Sequence, residues 1–242
     1  MTMPRAAAVA ELAPSGKLRA AINFGNPVLA TKNPATGEPG GISADLAREL
    51  ARRLGVPIEF VRYDSAGKVV EGQKAAAWDV CFLAIDPLRA TEIAFTAAYV
   101  VIEGVYMVAA GSPYHANADV DQPGRRVGVI VGSAYDLFLS RELKHATILR
   151  APGIDDVVDL WVAGKLDAVG GVKPQLEAIA KRLPGVRLIP ERFMAINQAM
   201  GTPRGREVGA AYLCAFVDEM KSSGFVAEAF ARNRIQGAAM AP

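Results

Sequence analysis

The octapeptide WDVCFLAI, residues 78–85, decides the fold class of this 242-residue chain. Apart from Asp79 it is apolar, and its length is typical of a strand that is buried on both faces of a sheet. Such strands occur in parallel sheets whose two faces are covered by helices. The octapeptide therefore predicts an α/β protein.

Strand and helix patterns alternate on the N-terminal side of the octapeptide. The predicted elements are a strand at 18–23, a helix from the N-cap Ser43 to a stop at Gly55, a strand at 57–63 and a helix around 68–77. Serine favours an N-cap because its hydroxyl accepts a backbone N–H, and glycine favours the left-handed conformation that ends a helix. This order predicts parallel strands joined by helical crossovers.

The same alternation restarts beyond a long extended run. Residues 96–110 show no helical periodicity, which predicts a crossing segment. The elements predicted after it are a strand at 126–131, a helix at 135–143, a strand at 147–150, a helix at 154–163, a strand at 168–172, a helix opened by Pro174, an extended run at 193–200 and helices at 208–221 and 225–232. A second sheet is therefore expected between two portions of the first.

This arrangement predicts two lobes. Lobe 1 is expected to contain residues 1–109 and 201–242, and lobe 2 residues 110–200. The extended runs near 107–112 and 194–201 are placed to act as paired hinge strands. Because open α/β sheets bind ligands at the carboxyl ends of their strands, a ligand is expected in a cleft between the lobes.

Composition excludes several classes of function. Hydrophobic residues make up 51% of the chain and charged residues 21%, which predicts a folded globular protein. Its 27 Lys and Arg residues nearly balance 25 Asp and Glu residues and form no basic stripe, so we expect no nucleic-acid partner. The two cysteines and two histidines lie far apart, so we expect no disulfide, no metal site and no cofactor.

The N-terminal region carries a short apolar run, Ala6–Ala10, after Arg5. Glu11 interrupts the run before it reaches the length of a signal-peptide apolar region. We therefore expect a cytoplasmic protein from the sequence as written, or a periplasmic one if a signal peptide has been removed. We also expect no membrane span.

Four motifs together resemble the extracellular solute-binding proteins of polar amino-acid ABC transporters, family 3. They are Gly16–Arg19 leading into a strand, Gly41–Ala47 with Leu54–Val56, Arg89–Tyr99 and Gly164–Val169. The resemblance spans nearly the whole chain and implies a two-lobed type II periplasmic-binding-protein-like fold, with mixed, mostly parallel sheets. It also implies a small-molecule ligand and an ABC transporter permease as partner.

The resemblance assigns the main anion contact to Arg89. Its family counterpart makes a bidentate salt bridge to the ligand carboxylate, a geometry that lysine cannot reproduce. Ser133, followed by Ala134, matches a hydroxyl residue at a helix N-terminus that favours an anion. The alternative for Arg89 is a solvated residue at a helix start. The alternative for Ser133 is an ordinary N-cap.

Two departures from the family pattern bear on the ligand. Asp86 stands where a Thr or Ser is usual, and it either contacts Arg89 or the ligand or forms a turn before Pro87. Val172 stands where the family's aspartate holds the ligand's α-ammonium, and valine cannot replace that charge. A standard α-amino acid is therefore disfavoured as the ligand, unless Asp86 takes over the ammonium. Lys173 favours a second acidic group on the ligand if it faces the cleft; the alternative is a solvated lysine in a first turn.

Further candidate contacts flank these positions. Phe24 and Asn26 occupy the place where the family presents an aromatic wall, although Phe24 also fits a core role. Asn197 and Gln198 are polar residues in the second extended run, so they must find partners in the hinge backbone or the ligand.

The sequence favours a binding protein that closes its cleft over a small carboxylate that is not a standard α-amino acid. The alternative is an enzyme on the same scaffold, similar to the cyclohexadienyl dehydratases, with Asp86 as its acid or base and Glu191 as a remote second candidate. A purely structural module is disfavoured, because a hinged design with an arginine at the cleft needs a ligand.

Overall fold

The computed structural model describes residues 5–242, which form two compact units. Unit 1 contains the chain up to Val101 together with Asn197–Pro242, and unit 2 contains Ile102–Ile196. The chain crosses from one unit to the other within two strands. The lobe boundaries expected from the sequence, after residues 109 and 200, lie at the end of the first of these strands and within the second, and they stay a prediction.

Unit 1 is an α/β layer structure. Its elements are α1 (Arg5–Leu12), β1 (Leu18–Asn23), β2 (Thr31–Lys32), β3 (Pro39–Gly40), α2 (Ile42–Leu54), β4 (Ile58–Tyr63), α3 (Ala66–Lys74), β5 (Val80–Ala84), a 3₁₀ turn (Arg89–Thr91) and the first part of β6 (Ile93–Ala109). Unit 2 separates these from the end of β11 (Met194–Pro203), α8 (Glu207–Ser222), α9 (Phe225–Arg232) and β12 (Ala238–Met240). Every strand and helix predicted in this unit is present, within a few residues.

The main sheet of unit 1 has the order β4-β1-β5-β11-β6. β1 runs parallel to β4 and β5, whereas β11 runs antiparallel to β5. Helix α3 packs through Val69 against Cys81 and Leu83 of β5. On the opposite face, Phe82 contacts Tyr99 edge to face, and the Tyr99 hydroxyl lies 3.4 Å from Ser43 Oγ of α2. The octapeptide is thus covered on both faces, as predicted.

The predicted N-cap Ser43 is wrong. Helix α2 begins at Ile42, and its N-cap is Gly41, whose φ of 89° lies in the left-handed region that favours glycine. Ser43 lies inside the first turn, where its N–H donates to Leu29 O and its side chain is buried. The predicted stop is confirmed, because Gly55 adopts the left-handed conformation at φ 67°.

Helix α1 was not predicted, because the sequence suggested only an interrupted apolar run. Its Ala8 and Leu12 are buried in unit 1. Arg5 Nε donates to Leu54 O at the end of α2, and Glu11 Oε2 accepts the Gly209 N–H in the first turn of α8 at 2.7 Å. The two charged residues that bracket the run therefore satisfy the ends of two other helices.

Removing the Glu11 acceptor is expected to weaken unit 1. We expect Glu11→Ala to lower the free energy of unfolding by about 1 kcal/mol, because a helix N-terminal N–H loses its partner. Glu11→Gln should retain most of that stability, since an amide oxygen still accepts the bond. Urea denaturation of the two variants checks this, and equal losses in both would contradict the capping role.

Unit 2 repeats the same architecture. Its elements are the second part of β6, α4 (Asn117–Val120), β7 (Arg126–Ile130), α5 (Ala134–Glu142), β8 (Thr147–Ala151), α6 (Ile154–Val162), β9 (Ala168–Val172), α7 (Lys173–Arg182), β10 (Val186–Leu188) and the start of β11. The sheet order is β6-β9-β7-β8, with β10 on β6. β7 is parallel to β8 and β9, and β6 is antiparallel to β9. Helix α5 packs over Gly170 and α7 over Gly171, so the helices again cover both faces.

The two units share one topology and one ion-pair motif. In unit 1, β1 lies between β4 and β5, and the antiparallel strand β11 is the next neighbour of β5 in the sheet. In unit 2, β7 lies between β8 and β9, and the antiparallel strand β6 is the next neighbour of β9. Asp79 precedes β5 and pairs with Arg19 of β1, and Asp167 precedes β9 and pairs with Arg126 of β7. In both pairs the carboxylate also accepts the arginine's backbone N–H, and the arginine's carbonyl accepts the aspartate's N–H. This internal repeat was not predicted.

Within residues 5–242, no helix combines the length and apolar character that a membrane crossing requires.

Candidate functional site

Each unit has a switch point in its sheet, where two neighbouring parallel strands send their connections in opposite directions. In unit 1 this point lies between β1 and β5, and in unit 2 it lies between β7 and β9. Ligands of open α/β sheets bind outside the carboxyl ends of the strands at such points. The residues that follow these four strands are therefore the candidate binding residues, and they are described for each unit separately.

Arg89 follows β5 and begins the 3₁₀ turn of unit 1. Its side chain is buried, with the residue only 3% exposed, and Nη1 donates to Ala84 O at 3.0 Å. Burial lowers the pKa of Arg89, while the charge of Asp86 and the thiol of Cys81 act in the opposite direction. A guanidinium stays protonated at neutral pH in spite of such a shift. Unit 1 therefore holds a permanent, largely desolvated cation just beyond the carboxyl end of β5.

Asp86 is the first polar residue after β5 and is also buried. Its Oδ1 accepts the Leu88 N–H at 2.9 Å, and its carbonyl accepts the Ala90 N–H. These bonds give Asp86 the turn-forming role that the sequence offered as one alternative. Its charge also acts on Arg89, so the two alternatives coexist, and a direct ligand contact stays a prediction.

The other candidates of unit 1 lie on β11 and after β1. Phe24 is half-buried and donates its N–H to Tyr63 O, and Asn26 Oδ1 accepts the Val28 N–H within a tight turn. Gln198 is buried and opposite Ala84 in the β5–β11 register. The exposed Asn197 accepts the Ile85 N–H with its backbone carbonyl. Gln198 and Asn197 thus border the same strand end that Asp86 and Arg89 follow.

Two exposed apolar side chains of unit 1 were missed by the sequence analysis. Ile85 is 42% exposed and Leu88 is 63% exposed, although both are large hydrophobic residues. They flank Asp86 in the chain and lie beside the Arg89 turn. An exposed apolar surface next to a buried cation suits a ligand with an anionic end and an apolar body.

In unit 2, Ser133 follows β7 and is the N-cap of α5. Its Oγ accepts the Asp136 N–H at 3.0 Å, while Asp136 Oδ2 accepts the Gly132 N–H at 2.8 Å. Ala134, the first residue of α5, is buried. Ser133 therefore has the ordinary capping role given as its alternative, and a ligand contact by Ser133 or Ala134 stays a prediction.

Val172 ends β9, and Lys173 begins α7. Val172 is the buried N-cap of that helix and has no polar side-chain atom. Lys173 Nζ donates to Glu103 Oε2 at 2.7 Å, and Arg192 Nη1 lies 3.9 Å from Glu103 Oε1. The hydrogen bond that Lys173 donates to Glu103 raises the pKa of Lys173. Glu103 was not predicted, although a lone carboxylate inside the apolar run of β6 was the signal that could have found it.

Comparison with known proteins agrees with this geometry. The sequence-family model for bacterial extracellular solute-binding proteins, family 3, matches residues 18–233 of the chain. The chain belongs to this family. This match confirms the family resemblance seen in the sequence.

Curated relatives cover part of the chain. The histidine-binding periplasmic protein of Salmonella typhimurium strain LT2 is 30% identical over 138 residues, which are 55% of this chain and 52% of that protein. The protein of the same name from Escherichia coli K12 is 29% identical over 136 residues, 54% of this chain and 52% of that protein. The chain thus matches about half the length of these relatives.

Solved structures cover nearly all of the chain. The solute receptor for L-cysteine of Neisseria gonorrhoeae superimposes with a TM-score of 0.80 at 20% identity, over 96% of this chain and 95% of the receptor. A mutant of ArgBP from T. maritima gives 0.77 at 20% identity, over 93% and 98%. The ancestral amino acid-binding protein AncCDT-1, a precursor of cyclohexadienyl dehydratase, gives 0.76 at 20% identity, over 93% and 97%. These likenesses confirm the fold class expected from the sequence.

Proposed function

We propose that this solute-binding protein closes over a small carboxylate and that Arg89 anchors the carboxylate group. The observation that carries the proposal is the buried guanidinium at the switch point of unit 1. A desolvated arginine binds a carboxylate through charge-assisted, bidentate hydrogen bonds that are stronger than the same bonds in water. The exposed Ile85 and Leu88 beside it favour an acid that also has apolar surface.

The proposed ligand lacks the α-ammonium of a standard amino acid. An ammonium taken out of water needs a nearby acceptor, preferably a carboxylate. Val172 provides none at the end of β9, and Glu103 is already bonded to Lys173 and lies near Arg192. Asp86 is engaged by the Leu88 N–H and by the charge of Arg89. The relatives are named for histidine, arginine and cysteine, and the proposed ligand of this chain differs from them in this group.

Restoring a carboxylate at position 172 is expected to change the ligand class. In Val172→Asp we expect α-amino acids to gain at least tenfold in affinity relative to the matching 2-oxo acids, because the ammonium then finds a charged partner. Val172→Asn introduces a side chain with nearly the same shape as aspartate but without its charge, and it serves as the matched control. Calorimetric titration of leucine and 4-methyl-2-oxopentanoate into each variant measures the ratio. An unchanged ratio in Val172→Asp would contradict the role given to residue 172.

A transporter is the proposed partner. One solved structure with a TM-score of 0.76 at 17% identity is the substrate-binding protein of an amino acid ABC transporter. By analogy, the liganded form of this chain would dock on an ABC transporter permease outside the cytoplasm, in the periplasmic or extracellular setting of its family.

An enzyme on this scaffold is the second candidate. The likeness to AncCDT-1 and the placement of a carboxylate, Asp86, beside Arg89 favour it. Proton transfer would require Asp86 to give up its bond from the Leu88 N–H or to act through its second oxygen. Long incubation with a bound acid, followed by product analysis, separates the two functions. Turnover that Asp86→Asn abolishes would establish the enzyme, and unchanged ligand would leave the binding protein.

A thermal-shift screen tests the proposed ligand class. The panel contains 2-oxo acids, aromatic acids, dicarboxylates and α-amino acids, since any ligand that binds the folded state raises the unfolding temperature. We expect simple acids to stabilise the protein and α-amino acids to have little effect. The opposite ranking would refute the proposal.

A further inference from the structure

A charged cluster in unit 2 surrounds Glu103. This residue lies on β6 and bonds to Lys173, the first residue of α7, while Arg192 approaches its other carboxylate oxygen. The side chains of Lys173 and Glu103 are 36% and 38% exposed, so the pair is open to solvent on one side. The cluster is therefore reachable by a solute.

The cluster lies at the end of β9 that borders the switch point of unit 2. Gly104, the neighbour of Glu103, pairs with Val172 in the β6–β9 register, and Lys173 follows Val172 directly. This is the edge at which β7 also ends, before Ser133. The Glu103–Lys173 pair thus occupies the carboxyl edge where the sheet of unit 2 is expected to meet a ligand.

Lys173 without Glu103 would create an anion site. Its ammonium would stand at the N-terminus of the ten-residue helix α7, with Arg192 as a second cation and the partial positive charge of the helix end behind it. The charge of Glu177, one turn along α7, also attracts the Lys173 ammonium, but the hydrogen bond of Lys173 is to Glu103. The Glu103 carboxylate accepts a hydrogen bond from the Lys173 ammonium, and its negative charge repels an incoming acid.

We propose that Glu103 determines specificity, because it neutralises Lys173 and thereby restricts the ligand to a single carboxylate group. The inference rests on the proposed function, in which Arg89 binds that one carboxylate. A second carboxylate at this edge of unit 2 would meet the charge of Glu103, and it would have to break the Glu103–Lys173 bond to gain the ammonium. Monocarboxylates avoid both costs.

Matched acids test this role in the full chain. Butanoate with succinate, and pentanoate with glutarate, differ by one carboxylate and are titrated into the parent, Glu103→Gln, Lys173→Gln and the double variant. We expect Glu103→Gln to raise the affinity for each dicarboxylate about tenfold relative to its monocarboxylate, since the ammonium becomes available. The double variant should lose this gain. Glu142→Gln removes the same charge from an exposed position of α5 and should leave the ratio unchanged.

The outcomes separate this inference from the proposed function. An unchanged dicarboxylate-to-monocarboxylate ratio in Glu103→Gln, or a gain that persists in the double variant, overturns the role of Glu103. Stronger dicarboxylate binding in Lys173→Gln also overturns it, because Glu103 keeps its charge in that variant and loses its partner, and this arm does not depend on the folding of Glu103→Gln. If Arg89→Ala binds the acids as tightly as the parent does, the proposed function is refuted. A gain in dicarboxylate binding in Glu103→Gln would still support the role of Glu103.

Discussion

Arg89→Lys is expected to abolish measurable binding of the ligand carboxylate, with a loss of at least a hundredfold in affinity. Lysine keeps the positive charge but cannot form two parallel N–H bonds to a carboxylate. Its ammonium also loses the bond that Arg89 Nη1 makes to Ala84 O from a buried position. Calorimetric titration of the strongest acid found in the thermal-shift screen measures the loss.

The controls for Arg89 separate charge from geometry. Arg62→Lys makes the same replacement in unit 1 at an exposed arginine that pairs with Glu38, and it should bind as the parent does. Arg89→Ala should lose binding as completely as Arg89→Lys. If Arg89→Lys binds within threefold of the parent, the bidentate anchor is wrong.

Asp79→Ala is expected to cause the largest loss of stability, about 3 kcal/mol in the free energy of unfolding. The Asp79 carboxylate is fully buried, accepts bonds from Arg19 Nε and Nη2 and from Arg206 Nη1, and also accepts the Arg19 N–H. Removing one member of a buried ion cluster leaves the others without their counter-charge. The two arginine side chains keep about a fifth of their surface in water, which places the loss at the lower end of the usual range.

The internal repeat supplies the matched control for Asp79. Asp167 makes the same backbone and side-chain bonds to Arg126 in unit 2, but it pairs with one arginine whose side chain is 41% exposed. Asp167→Ala should therefore cost much less than Asp79→Ala. Urea denaturation followed by tryptophan fluorescence measures both, since Trp78 adjoins Asp79 in unit 1 and Trp161 lies on α6 in unit 2. Equal losses would contradict the importance given to burial.

Most of the regular structure could be predicted because its hydrophobic periodicity is strong. The β5 octapeptide and the repeated strand–helix order fixed the fold class, and β1, β9 and α9 have the predicted bounds. Helix α1 was missed because its stability depends on tertiary contacts, such as the bond from Gly209 to Glu11, which local sequence does not contain. Ser43 was misassigned because Gly41 reaches a backbone conformation that serine rarely adopts.

The candidate site was predictable only where a residue acts through its neighbours in the chain. Asp86 and Ser133 form bonds within three residues, so their turn and cap roles follow from sequence. The partner of Lys173 is 70 residues away on β6, and only the register of the sheet brings Glu103 to it. The burial of Arg89 was likewise not predictable from the sequence, because it depends on how the side chain folds back to donate to Ala84 O of β5.

A pair of calorimetric titrations tests whether Arg89 anchors a carboxylate that lacks an α-ammonium. The parent protein is titrated with a 2-oxo acid and with the α-amino acid of the same skeleton, and both titrations are repeated in Arg89→Ala. The 2-oxo acid should bind at least tenfold more tightly than the amino acid, and Arg89→Ala should lose this binding. Tighter binding of the amino acid, or equal binding of the 2-oxo acid by the parent and Arg89→Ala, would contradict this expectation.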